Sequence, residues 1–425
     1  MKRKMSFLEG SMFAGKDTPV NLIFTVAVEG NLSGGNLENA LQKVQNRHPL
    51  LKIVVWQDEN GIPWYVSPDE IQPISLRIVE RLSDKDWWNE AEKEWHNPFN
   101  VEKEPLARLV WIRSERTSEL ILICHHCICD ATSVIQLMHE ILNVTDNPGM
   151  DIGSYQSVSS LMDLVPVEMQ RRRANIFMTN LITGATGFYL GMVSWMKEKK
   201  KDHFYTMNWK LDRDTTGLIL EKCKEEGLSV NTVLCLAFMK AFENVRHRSI
   251  NRRVFCSVDT RRFLPEIGRD HLFPFPVMIE LSSGNKQHDF WGQARYLRDK
   301  LYNKIEKTDI RKMLMYTEHL VSLLPKSIRY AKAGKGPHDF AFANLGKVKI
   351  RESYKNFSVR TVYSPSSRFP MGNPTKISTS TFRGQIDFVF TSEEGFLKYQ
   401  DALIIKENAM KLLLNQVATH ESSVF

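Results

Sequence analysis

Residues 119–140, ELILICHHCICDATSVIQLMHE, constrain this chain most. An apolar run, Leu120 to Cys124, leads into His125 and His126. Asp130 follows four residues after His126, at the head of a second apolar-periodic segment. The run reads as a buried strand and the second segment as a helix over 131–142, with Asp130 at its N-cap. The stretch thus predicts a strand, a tight loop carrying two imidazoles, and a helix.

The rest of the chain alternates in the same way. Residues 20–29 read as a strand. Leu37, Ala40, Leu41 and Val44, at i, i+3, i+4 and i+7, predict a helix over 36–47. Strands are expected at 51–56, 63–66 and 74–79, a helix at 84–96, and a hairpin from 106–112 and 120–125. Residues 1–20 read as a short helix and loop, and 144–170 as loop-rich. After residue 201 the spacing predicts helices at 214–226, 229–245, 288–307 and 310–323, and strands at 253–259, 277–281, 340–343 and 358–362. A hairpin, 376–383 with 385–391, precedes a terminal helix over 393–417 whose last residues fray. Residues 326–338 read as an exposed basic loop and 365–374 as a Pro/Ser/Gly-rich loop. This is an α/β pattern written twice, in blocks 1–150 and 205–425 joined by a connector, 151–204. A chain of 425 residues exceeds what one core usually supports, which agrees with two domains.

The connector contains residues 174–196, with no charged side chain, between Arg171-Arg172-Arg173 and Lys197, Lys199, Lys200 and Lys201. Its length suits a bilayer span. Asn175, Thr179, Asn180, Thr183, Thr186 and Ser194 argue against one, as do Gly184, Gly187 and Gly191. Cations at both ends define no sidedness. Interfacial membrane contact and a mobile or packed connector are the other readings.

The net charge, +8 from 57 basic and 49 acidic residues, is modest. It suits phosphate-bearing small molecules, an acidic carrier protein or an anionic membrane surface, and no nucleic-acid motif accompanies it. Six cysteines in a chain this long make no disulfide scaffold, and the N-terminus is not a secretory signal. A cytoplasmic protein is expected, with peripheral membrane contact as the alternative.

An imidazole at a strand end can project into a cleft and accept a proton near neutral pH. Asp130 can fix its tautomer, pair with an arginine, or simply cap the helix. If the strand continues through the histidines, His125 points away from His126, so one of the two faces a cleft. Cys124, Cys127 and Cys129 with the histidines crowd too closely for the usual spaced zinc sites, which favours packing over a metal. No Gly-x-Ser-x-Gly elbow or phosphate loop is present. A base without a protein nucleophile fits direct transfer to an acceptor's own hydroxyl or amine.

His125-His-Cys-Ile-Cys-Asp130 resembles the His-His-x-x-x-Asp-Gly motif of the condensation-domain and CoA-dependent acyltransferase superfamily. Companion motifs occur in the same order. Arg47-His-Pro-Leu-Leu-Lys52 resembles the upstream Arg-His-x-x-Leu-Arg motif. Asn97-Pro-Phe-Asn100 with Pro105-Leu-Ala-Arg108 is similar to the Pro-Phe-Asp … Pro-Leu … Arg stretch. Val258-Asp-Thr-Arg261 and Ala343-Asn-Leu-Gly346 look like second-half landmarks of stand-alone acyltransferases.

The resemblance implies an α/β (α+β sandwich) fold: two chloramphenicol-acetyltransferase-like halves in a V-shaped pseudo-dimer, with the site in an interdomain tunnel. It implies that His126 is the base and Asp130 mainly structural, paired with Arg47 or Arg261. His125, Ala131, Arg47, Arg261 and Asn344 are the expected binding residues. The second half is expected to lend a loop and strand to the site, with 365–374 and the following hairpin as candidates. The implied reaction moves an acyl group from a CoA or carrier-protein thioester to an alcohol, amine or lipid acceptor. It uses no cofactor or metal, in a monomer. A silent carrier- or ligand-binding member and a condensation domain acting in trans are the rival readings. The sequence departs from the motif at Ala131, where the family has glycine; one methyl there can narrow the donor channel. No carrier or adenylation segment follows residue 425, which argues against a piece of an intact synthetase module.

Overall fold

Two sheets, each built partly from helix-separated strands, carry the site. The computed structural model describes residues 2–156, 158, 160–193, 195–196, 202–245, 251–274, 276–283, 289–334, 336–368 and 372–418. The first part runs β1 (Lys2–Lys4), α1 (Phe7–Phe13), β2 (Asn21–Gly30), α2 (Gly34–Arg47), β3 (Val54–Gln57), β4 (Pro63–Val66), β5 (Ser75–Glu80), α3 (Asp86–His96), β6 (Ala107–Arg113), β7 (Thr117–His125) and α4 (Ala131–Asp146). Then come α5 (Val167–Arg171), α6 (Arg173–Met192), β8 (Phe204–Lys210), α7 (Arg213–Glu225), α8 (Val230–Val245), β9 (Arg253–Asp259), β10 (Pro276–Ser282), α9 (Phe290–Lys307), α10 (Ile310–Glu318) and α11 (Leu324–Ala333). The chain closes with β11 (Phe340–Lys347), β12 (Phe357–Ser367), β13 (Lys376–Phe382), β14 (Gln385–Glu393) and α12 (Tyr399–Ala418).

The first sheet has the order β12-β2-β7-β6-β5 and the second β10-β9-β11-β13-β14-β8; a small sheet β1-β4-β3 stands beside the first. In β7 only Thr117 is not fully buried, because helices lie on both sides: α3 contacts β2 and β7 on one face, and α4 contacts them on the other. Each sheet has its own apolar core. The first core also takes in Val348, Ile350, Phe357, Val359, Val362 and Phe382 from late in the chain.

The late strand is β12. It pairs antiparallel with β2, from Phe357 opposite Gly30 to Ser367 opposite Leu22. The lent strand is therefore 357–367, longer than the predicted 358–362 and including the start of the predicted 365–374 loop. Pro365 is tolerated because the register shifts between Tyr363 and Ser366, where a missing N–H breaks no ladder bond. The hairpin β13–β14 stays in the second sheet, which corrects its expected role as the lent element. Residues 369–371 of the predicted loop lie outside the described residues, as does the frayed end at 419–425.

Several other expectations change. The basic stretch read as a loop over 326–338 is largely α11. Leu324 and Ala333 are buried, and Ile328 and Ala331 pack against Ala14 and Val20. The cations of α11 hid a helix whose narrow apolar stripe is satisfied by α1 and the segment after it. Residues 2–4 form a strand on β4 rather than loop. A 3-10 turn, Pro49–Leu51, delays the strand predicted from 51 until Val54. Residues 174–192 of the uncharged segment belong to α6, a continuous helix. The terminal helix starts at Tyr399 because β14 extends through Glu393.

Candidate active site

Strand β7 ends at His125, and the chain turns over five residues before α4 begins. The turn is held at several points. The His126 N–H donates to the Val20 carbonyl at 2.8 Å, and Ile128 N–H to His125 O at 3.1 Å. The Tyr65 hydroxyl donates to Cys127 O at 2.6 Å. Asp130 caps α4, accepting from Ser133 N–H at 2.8 Å and from Ser133 Oγ at 2.9 Å.

Asp130 also accepts from the second half of the chain. Arg261 Nη1 donates to its Oδ2 at 2.7 Å and Nη2 to its Oδ1 at 3.1 Å. Nη2 further reaches Ser133 Oγ and the Phe273 carbonyl. This fork-to-fork pair is buried on both sides, and Asp259 adds a contact at 3.2 Å. Between the two candidate arginines, the one bonded to Asp130 is Arg261. Helix cap and interhalf ion pair, alternatives in the sequence, coexist in one carboxylate.

His126 is nearly enclosed. Its Nδ1 lies 2.9 Å from the Cys129 carbonyl, which can only accept, so Nδ1 carries the proton and Nε2 keeps its lone pair. Burial, with the positive charge of Lys376 second, pushes the imidazole down to about 4; Asp130 partly opposes this. The ring is therefore neutral at pH 7, with one nitrogen committed and the other available.

His125 is a different kind of residue. It is buried beside the rings of Phe13 and Phe99, and its Nδ1 accepts the Cys127 N–H at 3.3 Å. Burial holds it down to about 3. Its expected place among the binding residues is corrected: alternation along the strand turns it into the core.

Arg47 also lies elsewhere. It bonds Asp270 and the Ile152 carbonyl, with Glu140 at 3.3 Å. The neighbouring His48, fully buried, bridges Glu140 at 2.7 Å and the Tyr155 hydroxyl at 2.9 Å. The Arg-His motif thus ties α2, α4 and the 270 region together instead of facing His126. Asn344 spends its side-chain oxygen on the Gly346 N–H at 2.8 Å, closing a turn in which Gly346 has φ +63°. It pairs with Thr379, three residues along from the Ala341–Lys376 pair, so it stands roughly 10 Å from Lys376 along the sheet. Among the described residues, neither the Arg47 nor the Asn344 side chain hydrogen-bonds to His126 or shares a hydrogen-bond partner with it. Ala131 occupies the first helical position of α4. It is not among the residues with positive φ, so the methyl sits there without backbone strain.

Sequence reasoning missed Lys376, the first residue of β13. Its Nζ donates to Ser367 Oγ on β12 at 2.9 Å, and no carboxylate pairs with it among the described residues. Burial pushes it down to about 8. It starts a strand in another sheet, and no spacing relates it to His126. Missed too was the aromatic wall of α3. Trp87 stacks on Tyr363 of β12 at 3.7 Å, and Trp88 meets both Trp87 and Trp95 edge-on. With Ile23, Ser366 and Val389 this wall lines a narrow crevice with room for about one water. The cysteines 124, 127 and 129 are buried free thiols. Among the described residues, no three His, Cys, Asp or Glu side chains converge as ligands.

This arrangement is familiar from known proteins. Residues 5–147 match the Condensation domain family model. The whole chain superposes on the epimerization domain from the third module of tyrocidine synthetase B with a TM-score of 0.71, at 13% identity, covering 99% of this chain and 96% of that one. Trichothecene 15-O-acetyltransferase TRI3 from Fusarium sporotrichioides gives 0.71 at 13% identity, over 97% and 95%. The chain as a whole therefore has the fold of these proteins, and its residues 5–147 are similar in sequence to a condensation domain. Members of the condensation-domain family transfer acyl or peptidyl groups, commonly between carrier-bound substrates. In sequence, the nonribosomal peptide synthetase kk1B of Curvularia clavata is 33% identical over 119 residues, 27% of this chain. The chain spans 1% of that synthetase, and 6% of bacitracin synthase 1, another relative it matches.

Proposed function

We propose that this chain is an acyltransferase in which His126 acts as general base. The observation that carries the reading is the division of labour in the loop. Nδ1 of His126 is bound to Cys129 O, and Asp130 is bound to Arg261, so Nε2 alone is left to take a proton. As the acceptor's oxygen or nitrogen attacks the thioester carbonyl, its proton passes to Nε2. The C–S bond then breaks, the imidazolium returns the proton to the thiolate, and an ester or amide and a free thiol are formed. No acyl-enzyme and no metal are required. The imidazole is neutral at pH 7, so the Nε2 lone pair is free to take the proton as attack proceeds. The donor is an acyl thioester of CoA or of a carrier protein.

Free thiol released from a panel of acyl-CoA donors, with alcohol and amine acceptors, tests the reading. His126→Ala is expected to lower turnover at least about 10²-fold while the fold persists. Unchanged turnover in that variant removes His126 as the base. The synthetase relatives favour a second reading, peptide-bond formation between carrier-bound substrates. Consumption of carrier thioesters, with every free acyl-CoA left intact, selects it.

A further inference from the structure

Helix α6 is built inside out. Its inward face carries Asn175 and Thr179, 7% and 3% exposed, together with Leu190. Its outward face carries Phe177, Leu181, Phe188 and Met192, followed by Trp195, all between 54% and 77% exposed. Phe177, Leu181, Phe188 and Met192 lie at i, i+4, i+11 and i+15, a single helical stripe. A surface helix of a globular protein normally turns such a stripe to the core. The helix is nonetheless held in place. Asn175 Nδ2 donates to Met169 O at 2.7 Å, the Leu323 side chain packs at Gly187, and Tyr189 and Tyr330 of α11 share a hydroxyl contact of 2.8 Å. Apolar surface left in water forgoes about 25 cal/mol per Å². A contiguous exposed patch of this kind marks a contact surface.

Charge identifies the partner. At the N-terminal end of α6 stand Arg171, Arg172 and Arg173, all exposed. Helix α11, packed on α6, adds the exposed Lys326 and Arg329 and contains no acid. A second copy meeting this face about a two-fold axis would oppose cation to cation. A hydrocarbon stripe bordered by cations instead matches the boundary between acyl chains and acidic headgroups. Among the described residues no single helix is long and apolar enough to cross a membrane, and the polar face of α6 is occupied by the protein. We propose that the outer face of α6, with its flanking cations and those of α11, docks onto an anionic lipid bilayer, the helix lying in the membrane plane. The platform is close to the candidate base: α11 packs on Val20, whose carbonyl holds the His126 N–H. Membrane docking would thus bring a lipid-dissolved substrate to the edge of the site.

Co-sedimentation of the full chain with vesicles tests this independently of any turnover. Vesicles of phosphatidylcholine with phosphatidylserine are expected to bind the protein, more weakly at high salt, and phosphatidylcholine alone to bind it less. Phe177→Glu with Phe188→Glu should reduce binding at least about tenfold without changing the melting temperature. Should that pair disturb folding, Leu181→Asn with Met192→Asn gives the same comparison with uncharged side chains. Absence of binding to phosphatidylserine vesicles at low salt overturns the proposal. So does undiminished binding by a folded variant, or a solution dimer that the Glu substitutions dissolve while vesicle binding is absent.

Discussion

In the site loop His126, Asp130 and, across from them, Arg261 are at most 8% exposed; on α6 Phe177 and Phe188 are 68% and 70% exposed. One region takes ionisable groups out of water and the other leaves hydrocarbon in it. The loop compensates internally. Each oxygen of Asp130 is bonded, Arg261 spreads its donors over two carboxylates, a hydroxyl and carbonyls, and His126 avoids charge altogether. Helix α6 has no comparable internal compensation for its outer face. The difference teaches that an inverted residue with all its partners belongs to the architecture of one molecule. An inverted surface without them points outward, to a second phase.

The largest effect that can break this contrast is expected at Arg261. Arg261→Met leaves Asp130 buried without its cation, which should cost roughly 3–5 kcal/mol in urea denaturation. Adding Asp130→Asn should recover part of the loss. A cost well below 1 kcal/mol would show that the pair does not join the halves. Next comes pH. Burial holds His125 to about 3 and His126 and His338 to about 4, against an ordinary value of 6.5. The unfolded chain therefore binds more protons in that window, and stability should fall as pH drops from 6.5 through about 4. Burial lowers His139 and His271 as well, while Asp387, raised to about 6, and Glu119, Glu318 and Glu393, also raised by burial, act in the opposite sense, four carboxyls against five imidazoles. Denaturation midpoints measured across this range are expected to decline; a rise would mean the histidines are hydrated in the fold.

A smaller shift is expected from Lys376→Met. Removing that cation lets His126 take a proton more easily, so the low-pH limb of kcat/KM should move upward. The shift should be under about one pH unit, because burial, which remains, is the larger cause. A limb that stays in place separates Lys376 from the base. Smallest of all is the stability change for Phe188→Ser, within about 0.5 kcal/mol, since the ring makes no core. A loss above about 2 kcal/mol would put it inside and erase the contrast with the loop.

Much of the loop could be read from residues 119–140. The apolar run, the alternation that turns His125 from His126 and the capping position of Asp130 are local, and local spacing records them. The choice between Arg47 and Arg261 was not local: Arg261 reaches Asp130 over a separation of 131 residues. Lys376 carries no periodic signal, and it acts on His126 only because β12 and β13 meet there. Asn344 was misplaced for the same reason; a motif gives order along the chain but not depth along a sheet. Helix α11 was legible in part, since Leu324, Ile328 and Ala331 stand at i, i+4 and i+7, but its cations and Gly334 masked the stripe. For α6 the sequence marked an uncharged segment but neither its apolar stripe nor the direction that stripe faces. Which face looks inward depends on Leu323 and Tyr330, far away in sequence.

The pairing of β2 with β12 has a consequence for how the chain is made. Until residue 367 has left the ribosome, β2 is the bare edge of the first sheet, with eight buried positions among its ten residues in the finished fold. Such an edge invites pairing with other chains. The first half can collapse early, but its sheet is sealed only after β12 has emerged. During that interval a nascent chain is most in need of a chaperone, and truncations that remove β12 should aggregate even though every residue of the His126 loop is present.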